Sequence, residues 1–257
     1  MEIIVCIKRV PQTAEAEVKV EPSGKDIIKD RLTFDINEAD SYALEQAILL
    51  KEKLGGTVTA ISLGPAEAED TLRIALAKGA DNAIRIEQKE FEPLDGYKTA
   101  LVLYNIIKGL KYDIILTGCI ATDDGYSQVG PVLAELLGVP HATLVTALEV
   151  VDQMADIKRE LEGGLIEHLR IKLPALFAVQ TGINEPRYAS LLAIRRAAKK
   201  EMKTMGRTDI SDQELKCLSS LEKLYIPPVE RRAEILTGSM DEISQKLARI
   251  IKEKGLI

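Results

Sequence analysis

Residues 117–131 read Thr117-Gly118-Cys119-Ile120-Ala121-Thr122-Asp123-Asp124-Gly125-Tyr126-Ser127-Gln128-Val129-Gly130-Pro131, and this stretch decides the fold. It follows residues 112–116, an apolar run typical of a buried parallel strand, and it leads into apolar residues at helical spacing over 129–137. Gly138 then supplies a helix C-cap. A strand, a Gly-rich turn and a helix N-terminus present backbone N–H groups and the positive end of a helix dipole, which favour a phosphate. The stretch therefore predicts a nucleotide-binding loop, although an ordinary structural turn fits these residues equally well.

Composition indicates an ordinary globular protein with one main core. The chain has 257 residues, of which 46% are hydrophobic and 29% charged, and it contains no Trp and three Phe. The core is therefore expected to consist of Val, Ile, Leu and Ala. A net charge of −6 argues against a nucleic-acid-binding surface. We find no apolar run of membrane-spanning length and no signal-like start, so we expect a cytoplasmic protein without direct membrane insertion.

Cysteine and histidine usage indicates neither a disulfide framework nor a metal site. Cys6, Cys119 and Cys217 are widely spaced and form no CxxC pair. His141 and His168 have no partner at the spacing of metal ligands. We expect Cys6, inside the first strand, to be a small hydrophobic core residue, and we expect no catalysis by histidine and no metal.

Strand and helix patterns alternate through the first half of the chain. Strands are predicted at residues 3–7, 57–63, 82–86 and 113–117. Helices are predicted at about 38–54, where Asn37 would be the N-cap, at 65–79 and at 97–110. This βαβ series predicts an α/β fold, a mostly parallel sheet flanked by helices with ligands at the carboxyl ends of the strands.

The pattern changes after Pro140. Extended segments are predicted at 142–151, 156–161 and 165–173, with a hairpin turn at 162–164, and a buried strand at 175–179. The chain becomes polar and irregular from about residue 201 and ends in a helix near 240–254 whose apolar stripe must cover something. We therefore predict a nucleotide-binding α/β domain over 1–200 with a β-hairpin, and a C-terminal helical arm over 201–257 that packs on a partner subunit or on the domain's own flank.

Several motifs, taken in order along the chain, resemble those of the electron transfer flavoprotein β subunit family. They are the loop at 117–131, Ile7-Lys8-Arg9-Val10-Pro11, Asn37, Leu63-Gly64-Pro65, and the runs at 75–81, 158–164, 172–175 and 182–188. The resemblance covers nearly the whole chain. It implies an adenine-nucleotide-hydrolase-like fold without hydrolase activity, in one subunit of a heterodimer whose α subunit carries a mobile flavin domain. Such a heterodimer passes electrons between flavin enzymes.

The resemblance also assigns cofactor-binding residues. Those expected at the adenosine are Cys6, Asn37, Glu38, Ala39, Asp40 and Leu63. Those expected around the phosphates are Gly118, Cys119, Ile120, Ala121, Thr122, Asp123, Asp124, Gly125, Tyr126, Ser127, Gln128, Val129 and Gly130.

The chemistry of these residue types agrees in part with that assignment. Gly118, Gly125 and Gly130 allow a close approach of the backbone, and Ser127 and Gln128 can donate hydrogen bonds to phosphate oxygens. Asp123 and Asp124 repel an anion. We expect these two carboxylates to cap the following helix or to orient the loop through its own N–H groups.

The family uses two nucleotides at this site. Most members hold a structural AMP, whereas the electron-bifurcating branch holds a second FAD. Thr122-Asp123-Asp124-Gly125 is more similar to the bifurcating branch, because the AMP binders tend to carry a third acidic residue where Gly125 stands. We therefore expect FAD with NADH as donor, ferredoxin as the low-potential acceptor and a high-potential acceptor served through the flavin of the α subunit. Two alternatives stay open: an AMP-bearing subunit serving acyl-CoA dehydrogenases, and a stand-alone nucleotide-binding sensor module.

Partner-binding residues are implied by the same resemblance. Arg159 and Glu160 would face the partner's flavin domain, or else form a solvated ion pair on the hairpin. A recognition segment that docks a flavin dehydrogenase or quinone oxidoreductase would include Asn184, Glu185, Pro186, Arg187, Tyr188 and Leu191. The alternative is an amphipathic helix with Leu191 and Ile194 in the core. Nucleic-acid binding by the basic residues that follow is disfavoured, because no aromatic residues are interleaved with them.

Overall fold

The computed structural model describes residues 1–14, 16–209, 215–228, 233 and 235–256. Within them lie eleven strands: β1 Glu2–Cys6, β2 Arg9–Pro11, β3 Phe34–Ile36, β4 Thr57–Gly64, β5 Asn82–Glu87, β6 Ile114–Gly118, β7 His141–Val151, β8 Met154–Glu160, β9 Ile166–Lys172, β10 Ala175–Val179 and β11 Lys203–Met205. The same residues form six α-helices: α1 Glu38–Leu54, α2 Ala68–Lys78, α3 Gly96–Ile107, α4 Val129–Leu137, α5 Leu191–Ala197 and α6 Met240–Glu253.

Nine strands form one sheet in the order β11-β5-β4-β1-β6-β10-β7-β8-β9. Every pair from β11 to β7 is parallel, and only β7, β8 and β9 pair antiparallel. The predicted α/β fold with a mostly parallel sheet and a β-hairpin is thus confirmed. A separate antiparallel pair, β2 with β3, was not predicted.

The core fills both faces of the sheet because the central strands alternate their side chains between two apolar layers. Val5 of β1 packs in the layer with Leu44 of α1 and Leu72 of α2. Its neighbour Ile4 packs on the other face with residues of α3 and α4, such as Leu103. All five residues of β10 are buried, as expected for a strand covered on both faces.

The helices follow the sequence pattern and differ from it mainly at their ends. α1 has the predicted bounds, and Gly138 adopts the left-handed C-cap conformation predicted for α4. α2 begins three residues later than predicted, because Pro65 O accepts a turn hydrogen bond from Ala68 N at 3.0 Å. α3 begins at Gly96 because Asp95 caps it by accepting from Lys98 N at 2.7 Å.

The C-terminal segment contains one feature that the sequence reasoning missed. β11 adds to the sheet beside β5, although residues 203–205 were predicted to be irregular. The boundary at residue 200 stays a prediction. α6 lies near the predicted bounds, starts with a Ser239–Glu242 capping box, and has no buried residue. In the described parts of the chain, no helix is both long enough and apolar enough to cross a membrane.

Candidate functional site

The predicted nucleotide residues converge at the carboxyl edge of the central strands. β4, β1 and β6 run parallel, so Leu63, Cys6 and Gly118 lie at the same edge of the sheet. The N-terminus of α1 lies against this edge. There the carboxylate of Asp40 accepts hydrogen bonds from Gly118 N at 2.8 Å and Lys8 N at 2.7 Å. Asp40 thereby joins the ends of two strands.

Asp40 is only 7% exposed, and this burial is the main influence on its pKa. Burial raises the pKa of Asp40 to about 7, against the hydrogen bonds from Lys8 N and Gly118 N, which lower it. The carboxylate therefore titrates near neutral pH at the base of the site.

Asn37 forms a second clamp on the loop. Its Nδ2 donates to Ile120 O at 2.8 Å, and its Oδ1 accepts from Thr122 N at 3.1 Å. Asn37 occupies the N-cap position of α1, but it makes no side-chain capping hydrogen bond. The predicted N-cap position of Asn37 is therefore confirmed, whereas the prediction that its side chain caps the helix is wrong. The amide is used to hold the loop.

Lys8 forms ion pairs with the two carboxylates of the loop. Its Nζ lies 2.7 Å from Asp123 Oδ1 and 2.7 Å from Asp124 Oδ2. Partial burial lowers the pKa of Lys8, but the two carboxylates outweigh it, so the pKa lies above its ordinary value. In the sequence, Lys8 stands out only as part of the motif at residues 7–11. Its one available signal was the position directly after the first strand.

The prediction that Asp123 or Asp124 caps the following helix is wrong. The N-cap of α4 is Gln128, and no side-chain hydrogen bond caps it. The alternative prediction is confirmed for Asp124, whose Oδ1 accepts from Tyr126 N at 3.1 Å and so orients the loop. Because the side chain of Gln128 does not cap α4, the backbone N–H groups of the first turn of this helix can bind an external anion.

The three loop glycines have different physical roles. Gly118 has no room for a side chain, since a Cβ there would overlap Asp40 Oδ1 and lie 2.8 Å from Ala39 Cβ. Gly125 adopts φ +66°, and a Cβ there would meet nothing within 4 Å. Gly130 is buried and packs on the sheet, where a Cβ would lie 2.8 Å from Thr117 Oγ1. The expected backbone approach to a ligand is thus available at Gly125, whereas Gly130 serves core packing.

The two cysteines near the loop are buried thiols. Burial, and then the charge of Asp40, raises the pKa of Cys6 to about 12. Cys6 packs in the apolar layer of α3 and α4, which confirms its prediction as a core residue. Cys119 Sγ donates to Gln180 Oε1 at 3.1 Å, and burial followed by the charges of Asp40 and Glu160 raises its pKa. Neither thiol is suited to nucleophilic chemistry at neutral pH.

The other predicted cofactor residues surround this core of the site. Ala39 is buried against Cys119, and Leu63, Ala121 and Val129 are half-buried. The exposed members are Glu38, Ile120, Thr122, Tyr126, Ser127 and Gln128. Ser127 adopts a positive φ of 54°. The structure thus brings the predicted residues together around one open loop.

The predicted recognition segment divides into two groups. Arg187 binds back onto α1, where its guanidinium lies 2.8 Å from Glu45 and 2.6 Å from Glu52. Asn184 Nδ2 donates to Tyr42 O at 3.1 Å. These two side chains anchor the segment within the chain, and such anchoring was not predicted for them.

The second group lies open at the surface. Tyr188 is 99% exposed and Leu191 is 79% exposed, and Glu185 is also exposed, while Pro186 is half-buried. The alternative that places Leu191 and Ile194 in the core is wrong for this chain, because both are exposed. We call Tyr188, Leu191, Leu192 and Ile194 the apolar recognition patch.

Arg159 and Glu160 end strand β8. Arg159 Nε lies 3.4 Å from Glu167 Oε2 on the neighbouring strand, and Glu160 is exposed. Val145 of β7 pairs with both Arg159 of β8 and Val179 of β10, and Val179 O accepts from Cys119 N at 2.9 Å, so this end of the hairpin lies close to the base of the loop. A depression of about 490 Å³ lies on the polar face of β7–β9, lined by charged residues such as Asp156 and Arg170. Those two side chains form an ion pair, and none of the predicted cofactor residues lines this depression.

The fold and the clamped loop define an α/β protein of the class that binds ligands at the carboxyl edge of a mostly parallel sheet. Comparison with known proteins agrees, since the family model described as "Electron transfer flavoprotein domain" matches residues 26–210. Electron transfer flavoprotein subunit beta of Bacillus subtilis is 38% identical over 262 residues, covering 100% of both chains. The Homo sapiens subunit beta is 34% identical over 260 residues, covering 100% of this chain and 99% of its own. The chain belongs to the electron transfer flavoprotein β subunit family.

Proposed function

We propose that the loop at residues 118–130 binds the phosphates of FAD. The observation that carries this proposal is the clamp by Asn37 and Asp40, whose side chains make three hydrogen bonds to loop residues and one to Lys8 N, and which fixes the loop next to the N-terminus of α4. Backbone N–H groups at such a helix end, together with the dipole, attract phosphate. The residues fit this group because the side chain of Gln128, the N-cap residue, makes no capping hydrogen bond to α4 and because Lys8 compensates the nearby carboxylates.

The choice of FAD over AMP rests on Gly125. The residue has no side chain and φ +66°, and the space around its Cβ position is open. In the AMP-binding branch an acidic residue would stand here and add a third carboxylate beside Asp123 and Asp124. AMP as a structural ligand is the second candidate, in a subunit that serves acyl-CoA dehydrogenases, because the clamp by Asn37 and Asp40 would hold the loop around either nucleotide.

The chemistry under this proposal belongs to the cofactor. FAD held by the loop at residues 118–130 would supply hydride acceptance from NADH and single-electron transfer, with one electron destined for ferredoxin and one for a high-potential acceptor through the flavin of the α subunit. The side chains of this subunit bind and orient. Asn37 and Asp40 hold the loop. The buried thiols of Cys6 and Cys119 do not need to act as proton-transfer bases.

The partners follow from the same proposal. An electron transfer flavoprotein β subunit pairs with an α subunit, and we infer that α6 and the Arg159–Glu160 end of the hairpin face it, because α6 has no buried residue in this chain. The apolar recognition patch would dock the flavin dehydrogenase or quinone oxidoreductase that receives the high-potential electron. The patch is apolar and exposed while Arg187 anchors its base, which is the arrangement of a docking surface.

The experiment measures reduction of ferredoxin by NADH with the purified heterodimer. We expect ferredoxin to be reduced only when a high-potential acceptor is also present, in equal electron amounts. Asn37→Ala should abolish ferredoxin reduction while the flavin of the α subunit is retained. Asn82→Ala is the matched control, since Asn82 is exposed at the start of β5 on the opposite edge of the sheet. Absence of ferredoxin reduction in the wild-type complex with all components present would contradict bifurcation.

A further inference from the structure

The ammonium of Lys8 forms ion pairs with two carboxylates of the predicted phosphate-binding loop, so one positive charge faces two negative charges. Its ammonium contacts Asp123 and Asp124 at 2.7 Å each, and its side chain is 37% exposed. The backbone N–H of the same residue donates to Asp40, so the root of the side chain is fixed to the clamp. Lys8 is therefore held at both ends.

The carboxylates of the loop repel a bound phosphate, and Lys8 can reduce this repulsion. Two carboxylates within a few residues of the α4 N-terminus repel a phosphate, and such repulsion acts over roughly a Debye length of 8 Å at physiological ionic strength. The helix dipole contributes only about half a positive charge. Without Lys8, the negative charge of the two loop carboxylates would repel the phosphate that the N-terminus of α4 attracts.

We propose that Lys8 is a positioning residue of the nucleotide site, which binds Asp123 and Asp124 together and reduces their repulsion of the nucleotide phosphates. This inference rests on the proposed function and adds a specific role for a residue outside the sequence-predicted site. A role as a direct phosphate ligand is the competing explanation. It requires that the ammonium leave both carboxylates, which lie at hydrogen-bonding distance.

The test compares charged and uncharged ligands of the same base. The heterodimer is freed of nucleotide at the β site, and the dissociation constants of ADP, AMP and adenosine are measured by calorimetry. Lys8→Met should weaken ADP and AMP roughly five- to tenfold, because one compensating charge near the phosphates is lost. Adenosine has no phosphate, so its binding should change less than about twofold.

A triple variant separates charge balance from direct contact. Lys8→Met combined with Asp123→Asn and Asp124→Asn removes the carboxylates as well, so AMP binding should return to within roughly threefold of wild type. The control is Lys19→Met, whose ammonium lies 3.2 Å from Glu17 and whose side chain is 60% exposed. This control should leave all three dissociation constants unchanged.

Each result has a defined meaning. An AMP affinity that stays low in the triple variant would show that Lys8 contacts the phosphate itself and would overturn the proposal. Equal weakening of adenosine and AMP by Lys8→Met would overturn it too, since it would indicate a general loss of structure. A wild-type complex that binds none of the three ligands and carries no nucleotide at the β site would contradict the proposed function, and the inference with it.

Discussion

The carboxylate of Asp40 accepts a hydrogen bond from the backbone N–H of Gly118 at 2.8 Å. The contact fixes the first turn of α1 to the last residue of β6, at the point where the chain enters the candidate nucleotide loop. Because the same carboxylate also accepts from Lys8 N, one side chain sets the relative positions of two neighbouring strand ends.

Gly118→Ala should disturb this contact directly. A Cβ would overlap Asp40 Oδ1, so the free energy of unfolding should fall by about 1–3 kcal/mol and nucleotide should be lost from the β site. Denaturant unfolding and nucleotide analysis of the heterodimer measure both effects. Gly109→Ala is the control, since a Cβ there would meet only Ile106 O at 3.7 Å. Equal stability of the two variants would contradict the close packing at Gly118.

Asp40→Asn should change how stability depends on pH. The folded-state pKa of Asp40 is raised from 3.8 to about 7, so the folded protein binds this proton more tightly than the unfolded chain does. Asp40 therefore makes the wild type lose stability as pH rises from about 4 to about 7. The wild-type stability measured relative to Asp40→Asn should fall across that window by up to about 4 kcal/mol. A difference that is independent of pH would show that Asp40 is ionised throughout.

Sequence periodicity was sufficient for the fold because helical and extended patterns depend on local residue order. α1 and the hairpin of β8 and β9 have these clear patterns, whereas β11 has only three residues and depends on its partner β5. The loop could be located from its strand, glycines and helix. The roles of its side chains could not be predicted, since Asn37 and Lys8 act on residues more than 80 positions away. Gly130 shows the same limit, because the lack of room for a Cβ beside Thr117 Oγ1 arises only in the folded sheet.

Leu191→Ala should leave stability almost unchanged and weaken docking. Leu191 is 79% exposed, so its truncation should change the free energy of unfolding by less than about 0.5 kcal/mol. As an anchor of the apolar recognition patch, it should contribute ~2 kcal/mol or more to the contact with the acceptor enzyme.

The measurement pairs the melting temperature with turnover of the acceptor flavin dehydrogenase. Leu44→Ala is the core comparison, because Leu44 is fully buried and its truncation should cost about 2–5 kcal/mol. Unchanged turnover in Leu191→Ala would mean that the recognition role does not belong to this residue.

Asp95→Asn should release part of the C-terminal segment from the domain. Asp95 Oδ1 caps α3, while Oδ2 accepts from Leu218 N at 2.6 Å and Ser219 N at 2.8 Å. Asn retains the capping ability but places an NH2 group against those two donors. Hydrogen exchange at Leu218 and Ser219 should accelerate by about tenfold or more. Ser219→Ala removes only the hydroxyl, so it should have little effect. Unchanged exchange in Asp95→Asn would show that the segment is held by other contacts.

Nucleotide analysis of the purified heterodimer tests the central claim most directly. Acid extraction followed by chromatography counts FAD and AMP per complex, without any assumption about the electron donor or acceptor. The clamped loop and the open space at Gly125 predict two FAD and no AMP per heterodimer. One FAD with one AMP would contradict this prediction and would identify the site as a structural AMP site.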